Sequence, residues 1–273
     1  MENGILKIAH LSDTHYCKSY SGSNMESTFT KGSDPSQKLR KLLAKTVKEK
    51  ADCLIISGDI VHEGCEQDYI SFREIVEEII GDRMKVLYVC GNHDRKEAFK
   101  KGLKMDCSTE SIYYVEYLDP YRIIVLDSAV EGKEMGAISK EQEEWLRDLL
   151  REPYGQGTII TFHHPIVWEI PQLAMHISQV LAEILTGSDV IGILCGHTHS
   201  NNVTSFQGVG QYTADAMAFG MDTEGDMLQF VEKGGMSFYQ IQGKQISVHI
   251  EPLYETVKVL TEFPLQELLK LMK

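Results

Sequence analysis

Five short apolar runs of strand type recur along this chain, at residues 5–11, 53–57, 85–90, 158–162 and 190–195, with helical periodicity between several of them. Strands joined by helical crossovers pair in parallel, and parallel sheets are covered by helices. The helical stretches have readable ends. Pro35 opens the amphipathic "PSQKLRKLLAKTVKEK" (35–50), and "DYISFREIVEEII" (68–80) stops at Gly81. Ser139 followed by Gln142 is a capping-box start for a helix through Leu150, and residues 173–186 read as a further helix. "SIYYVEY" and "RIIVLD" flank Asp119-Pro120 as a hairpin. From Val203 onward the pattern is β, with "SFYQI" and "QISVHI" paired around "QGK", before a terminal helix over 264–273. No repeat, low-complexity tract or linker divides the 273 residues. The expectation is one α/β domain over 1–273, its C-terminal part from about 203 being β-rich.

The residues just past the five runs carry the chemistry. They are Asp13-Thr14-His15, Gly58-Asp59, Gly91-Asn92-His93-Asp94, His163-His164-Pro165 and Gly196-His197-Thr198-His199. Sites in open α/β sheets form at the carboxyl ends of strands. One polar tip is only a loop; five tips bearing Asp, His and Asn point to metal. Hard oxygens mixed with imidazole, with no thiolate required, suit Mn, Fe or Zn at a catalytic centre. The set is too large for one ion. Asp13, His15 and His199 can serve one metal and Asn92, His163 and His197 a second, with the two carboxylate oxygens of Asp59 bridging them. Such a pair acidifies a bridging water and offsets charge on phosphoryl oxygens. His10 reads as a packed strand histidine and His176 as surface. Cys17 is not counted as a ligand, and His164 stands beside the set to orient a ligand or the phosphate. The segment 212–222, "YTADAMAFGMD", either floors a pocket or only packs.

Charge narrows the partners. A formal net charge of −13 with no basic run argues against a nucleic-acid duplex or an anionic membrane surface. A small phosphate ester remains compatible, because bound cations reverse the local sign. A homo-oligomer is also compatible. The cysteines Cys17, Cys53, Cys65, Cys90, Cys107 and Cys195 show no CxxC spacing, and Cys53, Cys90 and Cys195 sit in apolar runs as small hydrophobes. The first apolar stretch is too short for a signal peptide and none approaches a membrane span, so a reducing cytoplasm is expected.

In order, "DTH", "GD", "GNHD", "HHP" and "GHTH", over residues 13–199, resemble the D-x-H, GD, GNH[DE], H and GHxH pattern of the calcineurin-like metallophosphoesterases. The compact chain and "HHP" followed by a helix resemble the class III cyclic-nucleotide and glycerophosphodiester phosphodiesterases. The resemblance implies an α/β fold that is a four-layer α/β/β/α sandwich with a dinuclear site at its centre. It also implies that His93 is not a ligand but contacts the scissile phosphate and assists the leaving oxygen. One position departs from the pattern. In several branches the residue three after the GD aspartate is a second Asp, which orients the histidine of GNH; here it is His62. The partner of His93 is then open between Asp94, Glu63 and a water, and His62 is either part of the site or a surface loop residue.

The expected function is a dinuclear metal-dependent phosphoesterase, foremost a phosphodiesterase that hydrolyses small soluble phosphodiesters, cyclic nucleotides among them, by a metal-bridging hydroxide. A phosphomonoesterase or nuclease of the same fold is the alternative in the same class, and a non-catalytic metal-stabilised scaffold the alternative in another. The five motif loops hold no Lys or Arg beyond Lys18 and Arg95 at their outer ends, which favours a monoanionic diester. The apolar stretch 214–219 offers a surface for an ester arm.

Overall fold

The structure, a computed structural model, describes residues 4–23, 25–106, 109–256 and 258–264. The N-terminal half runs β1 (Leu6–Leu11), α1 (Glu26–Phe29), α2 (Pro35–Lys48), β2 (Cys53–Ser57), α3 (Glu66–Ile79), β3 (Lys85–Val89), α4 (Lys96–Gly102), β4 (Tyr114–Leu118) and β5 (Tyr121–Val125). There follow α5 (Lys140–Leu149), β6 (Gly157–Thr161), α6 (Gln179–Thr186), β7 (Val190–Cys195), β8 (Asn202–Phe206) and β9 (Val209–Thr213). The remaining strands are β10 (Gly220–Glu224), β11 (Met227–Val231), β12 (Gly235–Gln242), β13 (Gln245–Pro252) and β14 (Val259–Pro264).

These strands form three sheets among the described residues, in the orders β13-β12-β1-β2-β3, β4-β5-β6-β7-β9-β8 and β10-β11-β14. β1, β2 and β3 are parallel, as are β5, β6, β7 and β9, while β12, β13, β4 and β8 join antiparallel at the edges. Side-chain alternation explains the layering. Leu6, Ile8, Cys53, Ile55, Leu87 and Val89 of the first large sheet meet Tyr121, Ile123, Val125, Ile159 and Leu194 of the second in one buried core. The intervening residues face outward on each sheet. Ala9, Leu54, Ile56 and Tyr88 pack with Leu39, Leu43, Tyr69 and Phe72 of α2 and α3, while Ile124, Ile160 and Ile193 pack with Leu146 of α5 and Leu181 and Leu185 of α6. Helices, sheet, sheet and helices are thus stacked around three apolar interfaces, the α/β/β/α sandwich expected. The small third sheet has its own cluster, Phe219, Leu228, Phe230 and Leu260, against Phe29 of α1.

Local expectations hold where capping and periodicity are strong. Asp34 caps α2 by accepting from the Ser36 and Gln37 amides at 2.7 and 3.4 Å, with Pro35 in the first turn. Ser139 Oγ accepts from the Gln142 amide at the start of α5, and Gln142 Nε2 also donates to that hydroxyl, at 3.4 Å, rather than Gln142 accepting from the Ser139 amide. Its Oε1 accepts from the Asp127 amide and its Nε2 donates to the Asp127 carbonyl, so the same side chain ties α5 to the end of β5 as well. The helix expected over 173–186 begins only at Gln179, capped by Ser178. Upstream, the Met175 amide donates to the Pro165 carbonyl and that of His176 to Gly136. Those donors are committed to neighbouring loops and cannot close helical turns. Of the terminal helix expected over 264–273, Pro264 ends β14 and the rest lies outside the described residues; so does Cys107. No helix among the described residues is long and apolar enough to cross a membrane.

At the end of the second large sheet remote from the motif loops, buried Arg122 donates to Thr158 Oγ1, the Leu149 and Glu152 carbonyls and Asp189 Oδ1. Arg122→Leu leaves the Asp189 carboxylate, 10% exposed, without its partner. Removing one side of such a buried pair costs about 3–5 kcal/mol. Thermal or denaturant unfolding should show a loss of this size, with the catalytic constants of the folded fraction unchanged. Wild-type stability in the variant would mean that solvent already screens the pair.

Candidate metal centre

The motif loops are zipped to one another through their backbones. The amides of Asp13, His15 and Tyr16 donate to the carbonyls of Gly58, Asp59 and Ile60 at 3.1, 2.8 and 2.8 Å, which continues the β1–β2 pairing past the strand ends. This path holds side-chain-bearing residues in the left-handed region. Asp13 (φ 48°), His15 (41°), Asp59 (48°), His197 (69°) and His199 (50°) all lie there. The conformation costs about 1 kcal/mol or more per residue, and such strain concentrates at functional sites. The motif glycines are dictated by the side chains they admit. A Cβ on Gly91 would strike the amide and carboxylate of Asp59, one on Gly58 the His163 ring, and one on Gly196 Ser12 Oγ and Asp13.

The loops bring the expected residues together. His199 Nε2 lies 3.3 Å from Asp13 Oδ1 and 3.2 Å from His15 Nε2, so Asp13, His15 and His199 form one buried group. His163 Nε2 is 3.2 Å from Asp59 Oδ2 and 3.9 Å from Asp13 Oδ1. Asp59 Oδ2 also lies 3.7 Å from His15 Nε2, between the two groups, whereas its Oδ1 accepts the His93 amide at 2.8 Å. Oδ2 is thus the oxygen that lies between the two groups, while Oδ1 also holds the His93 turn. His163, His164 and His197 form the second group that could hold an ion.

Supporting hydrogen bonds orient most of these candidate ligands. His163 Nδ1 is 2.7 Å from the Ser57 carbonyl, His199 Nδ1 2.8 Å from the Phe219 carbonyl, and His164 Nδ1 2.9 Å from Ser128 Oγ. Asp13 Oδ2 accepts from Ser12 Oγ (2.6 Å) and the His197 amide (2.9 Å), leaving Oδ1. A buried chain continues behind it, from Ser12 Oγ to Ser57 Oγ and His10 Nε2, with His10 Nδ1 3.3 Å from the Tyr239 hydroxyl. His10 is thus packed in the core, as expected, yet linked to the site. Asn92 Nδ2 donates to Glu134 at 2.9 Å, which turns Oδ1 inward. Asn92 Oδ1, His164 Nε2 and His197 Nε2 are buried without a hydrogen-bond partner, and Asp13 Oδ1 and His163 Nε2 have only each other's charged neighbours. Convergent buried carboxylate and imidazole atoms of this kind can be reconciled only by protons or by cations, and divalent cations satisfy the whole set at once. The oxygen and imidazole set fits Mn, Fe or Zn.

Burial and carboxylates set the charge states. Burial alone would hold His163 neutral, but Asp59 and Asp13 outweigh it and raise its pKa to about 10. Burial lowers His197 to about 3, assisted by His163, and drives His15 and His164 well below the ordinary range. At His93, burial works downward, yet Asp59, Glu134 and Glu63 together raise the pKa.

His93 stands at the rim, its Nδ1 3.5 Å from Glu63 Oε1. Of the partners left open by the sequence, Asp94 is committed elsewhere. It accepts from the Ile60, Val61 and Gly91 amides and the Tyr69 hydroxyl, so it clamps two motif loops. His62 is not a surface loop residue but is buried, with Nδ1 3.1 Å from His15 Nδ1 and its ring centroid 4.9 Å from that of His93. Burial lowers its pKa to about 4. Cys17 stays outside the cluster, donating to the His62 carbonyl, and His176 is exposed. Of 214–219, Ala214, Ala216 and Met217 are wholly buried, so Phe219 is the one that lines the cavity.

That cavity, of about 410 Å³, opens over His15, Asp59, His197 and His199, with Trp168, Phe219, Leu228 and Phe230 on its apolar wall. A second space, of about 870 Å³, lies beyond the Asn92–His93 turn that both share. The sequence reading missed Glu134, Ser128 and the third-sheet wall, since none belongs to a motif. Ser128 had one available sign: it follows β5, a further strand tip facing the same crest.

The comparisons agree with this geometry. The family model for calcineurin-like phosphoesterases matches residues 6–201. A probable cyclic nucleotide phosphodiesterase from Rhodococcus erythropolis is 34% identical over 236 residues, 84% of this chain and 74% of that protein. A cAMP/cGMP dual specificity phosphodiesterase from Mycobacterium tuberculosis is 29% identical over 223 residues, 79% of this chain and 68% of that one. Among solved structures, a dimetal phosphatase from Danio rerio superposes with a TM-score of 0.67 at 14% identity, over 94% of this chain and 99% of that one, a likeness of fold.

If Glu134 sets the Asn92 amide, Glu134→Ala should weaken metal binding at the Asn92 end by about 10–100-fold. Glu134→Gln, which still accepts through Oε1, should retain most of it. Competition for Mn²⁺ against a chelator measures both; equal affinity in the alanine variant would show that Asn92 needs no such partner.

Proposed function

This chain belongs to the calcineurin-like phosphoesterase family and is a hydrolase of phosphoric esters, and from that premise we propose that it is a phosphodiesterase for small soluble diesters, cyclic nucleotides among them. One observation carries the choice of diester: no Lys or Arg is among the residues that line the 410 Å³ cavity, while Glu134, Glu169 and Asp222 are. A phosphomonoester brings a dianion and gains from fixed cations. A diester brings one charge and two substituents. Its apolar or aromatic arm matches Trp168, Phe219 and Phe230, and the space beyond His93 gives room for the other arm. Three cations line that second space: Lys96 is taken by Asp127 at 2.8 Å and Lys100 by Glu97 at 3.0 Å, while Arg95 stands at its exposed edge, away from the clustered carboxylates and imidazoles. The names of the two relatives, both cyclic nucleotide phosphodiesterases, favour the same class of substrate.

In this reading Asp13, His15 and His199 would hold one metal and Asn92, His163 and His197 the other, with Asp59 lying between the two groups and His164 beside the second. Bound there, a metal pair supplies an acidified water as nucleophile and charge to offset the phosphoryl oxygens. The chain does the rest. Supported nitrogens and oxygens fix the ligand atoms so that no reorganisation is needed. His93 is held by its amide on Asp59 Oδ1 and faces the cavity, and the surrounding carboxylates favour its protonated form. It can therefore give a proton to the departing alkoxide. The acid form is lost as pH rises through its raised pKa, so turnover should fall on the alkaline side. A non-catalytic scaffold would not require an acid at this position. Free described cysteines, with Cys53, Cys90 and Cys195 buried, support a reducing compartment such as the cytoplasm.

Two measurements test this. With one Mn²⁺-loaded preparation, bis(p-nitrophenyl) phosphate should exceed p-nitrophenyl phosphate in kcat/KM, with 2′,3′- and 3′,5′-cyclic nucleotides alongside. A monoester lead of about tenfold, some 1.4 kcal/mol in the transition state, would make the enzyme a phosphatase. His93→Ala should keep its metals and lose about 10²–10⁴-fold in turnover on alkyl esters. The loss should be smaller with p-nitrophenolate, which departs without a proton. An equal loss on both, or loss of metal, would remove His93 from the acid role.

A further inference from the structure

The geometry points to a role for His62 that rests on His15 being a metal ligand in the reading above. His15 Nε2 is the nitrogen that faces His199 Nε2 and Asp59 Oδ2, at 3.2 and 3.7 Å. A metal there takes the Nε2 lone pair, and a neutral imidazole so used carries its proton on Nδ1. The atom that receives that N–H is Nδ1 of His62, 3.1 Å away. His62 must then accept at Nδ1, and a neutral imidazole that accepts at Nδ1 carries its hydrogen on Nε2. That Nε2 is buried and has no hydrogen-bond partner in the protein, and His62 lines the 410 Å³ cavity beside His93. The ring cannot readily turn to find another partner. Phe29 packs on it at 4.8 Å, His93 at 4.9 Å, and its own carbonyl accepts from Cys17 Sγ.

We propose that His62 is held as the Nε2–H tautomer, positioning His15 with one nitrogen and donating to an oxygen of the bound ester with the other. A buried donor without a partner is costly in the free protein, and an incoming phosphoryl or ester oxygen removes that cost. The pair links metal loading to substrate recognition through one ring. The donor is in place only when His15 holds its proton on Nδ1, which is the state that metal binding selects.

Side-chain geometry separates the two halves. An asparagine amide reaches the place of Nδ1, and a glutamine amide the place of Nε2. His62→Asn therefore keeps the acceptor for His15 and loses the donor, His62→Gln does the reverse, and His62→Leu lacks both. Each variant is stripped of metal, checked for wild-type thermal unfolding in that state, and titrated with Mn²⁺ by the EPR of the free ion. KM for bis(p-nitrophenyl) phosphate is then measured at saturating Mn²⁺. His62→Asn should bind Mn²⁺ like the wild type, and His62→Gln and His62→Leu about 10–100-fold more weakly at one site. KM should rise about tenfold in the asparagine and leucine variants and stay near wild type in the glutamine variant. Undiminished Mn²⁺ affinity in His62→Leu overturns the positioning role, and equal KM in His62→Asn and His62→Gln overturns the donor role. If the wild type itself binds no Mn²⁺, the dinuclear reading fails and this inference with it.

Discussion

Asp13 and Asp59 are buried carboxylates that face a common cluster of imidazoles at the crest between two sheets. Neither has an Arg or Lys partner among the described residues. Their compensating groups are histidines and backbone amides, and those same histidines have unpaired nitrogens of their own. Burial of so much polarity is unfavourable for the fold alone. Together with five ligand residues held in the left-handed region, it places the site at the costly end of what a sandwich core tolerates. Divalent cations would turn the cost into binding energy, because every inward lone pair is already aimed.

The site can bear this because its surroundings are rigid. The first two loops extend the β1–β2 ladder, Asp94 clamps the loops after β2 and β3, and the Ala218 amide binds the Asp13 carbonyl. Behind the candidate ligands, polar partners orient His163, His199, His164, Asp13, Asn92 and His15: the Ser57 and Phe219 carbonyls, Ser128, Ser12, Glu134 and His62. His62 differs from the others in that its second nitrogen is buried without a partner while the residue lines the cavity, so one ring lies between a candidate ligand and the pocket.

Much of this was legible in the sequence. The five strand tips could be read because strand pattern and ligand type coincide within a few residues, and parallel pairing then forces the tips to one crest. Alternation of strands and helices gave sheets covered by helices, whereas the four-layer stack of two large sheets was implied by the family resemblance and not by the strand pattern. What could not be read was long-range. Glu134 meets Asn92 from 42 residues away, out of a loop with no periodicity. Gln142 meets the Ser139 cap as its spacing suggested but also holds the end of β5, which the spacing did not show, and the stretch before Gln179 gives its amides to other loops. For His62 the departure from the family pattern was visible, but its consequence was not, because the partner it lost and the partner it found are set by ring orientation. The apolar run 214–219 suggested a binding surface, yet its alanines and Met217 turn inward, which composition alone could not reveal.

On the proposed reading Asp59, which lies between the two groups of candidate ligands, would belong to both metal sites. Low-temperature EPR of the protein titrated with Mn²⁺ tests it directly, because ions about 3.5–4 Å apart and sharing a bridge are exchange-coupled. The expected spectrum at full loading is that of a coupled pair with two ions per chain, replaced by uncoupled six-line Mn²⁺ in Asp59→Asn. Saturation at one uncoupled ion per chain in the wild type would contradict the account.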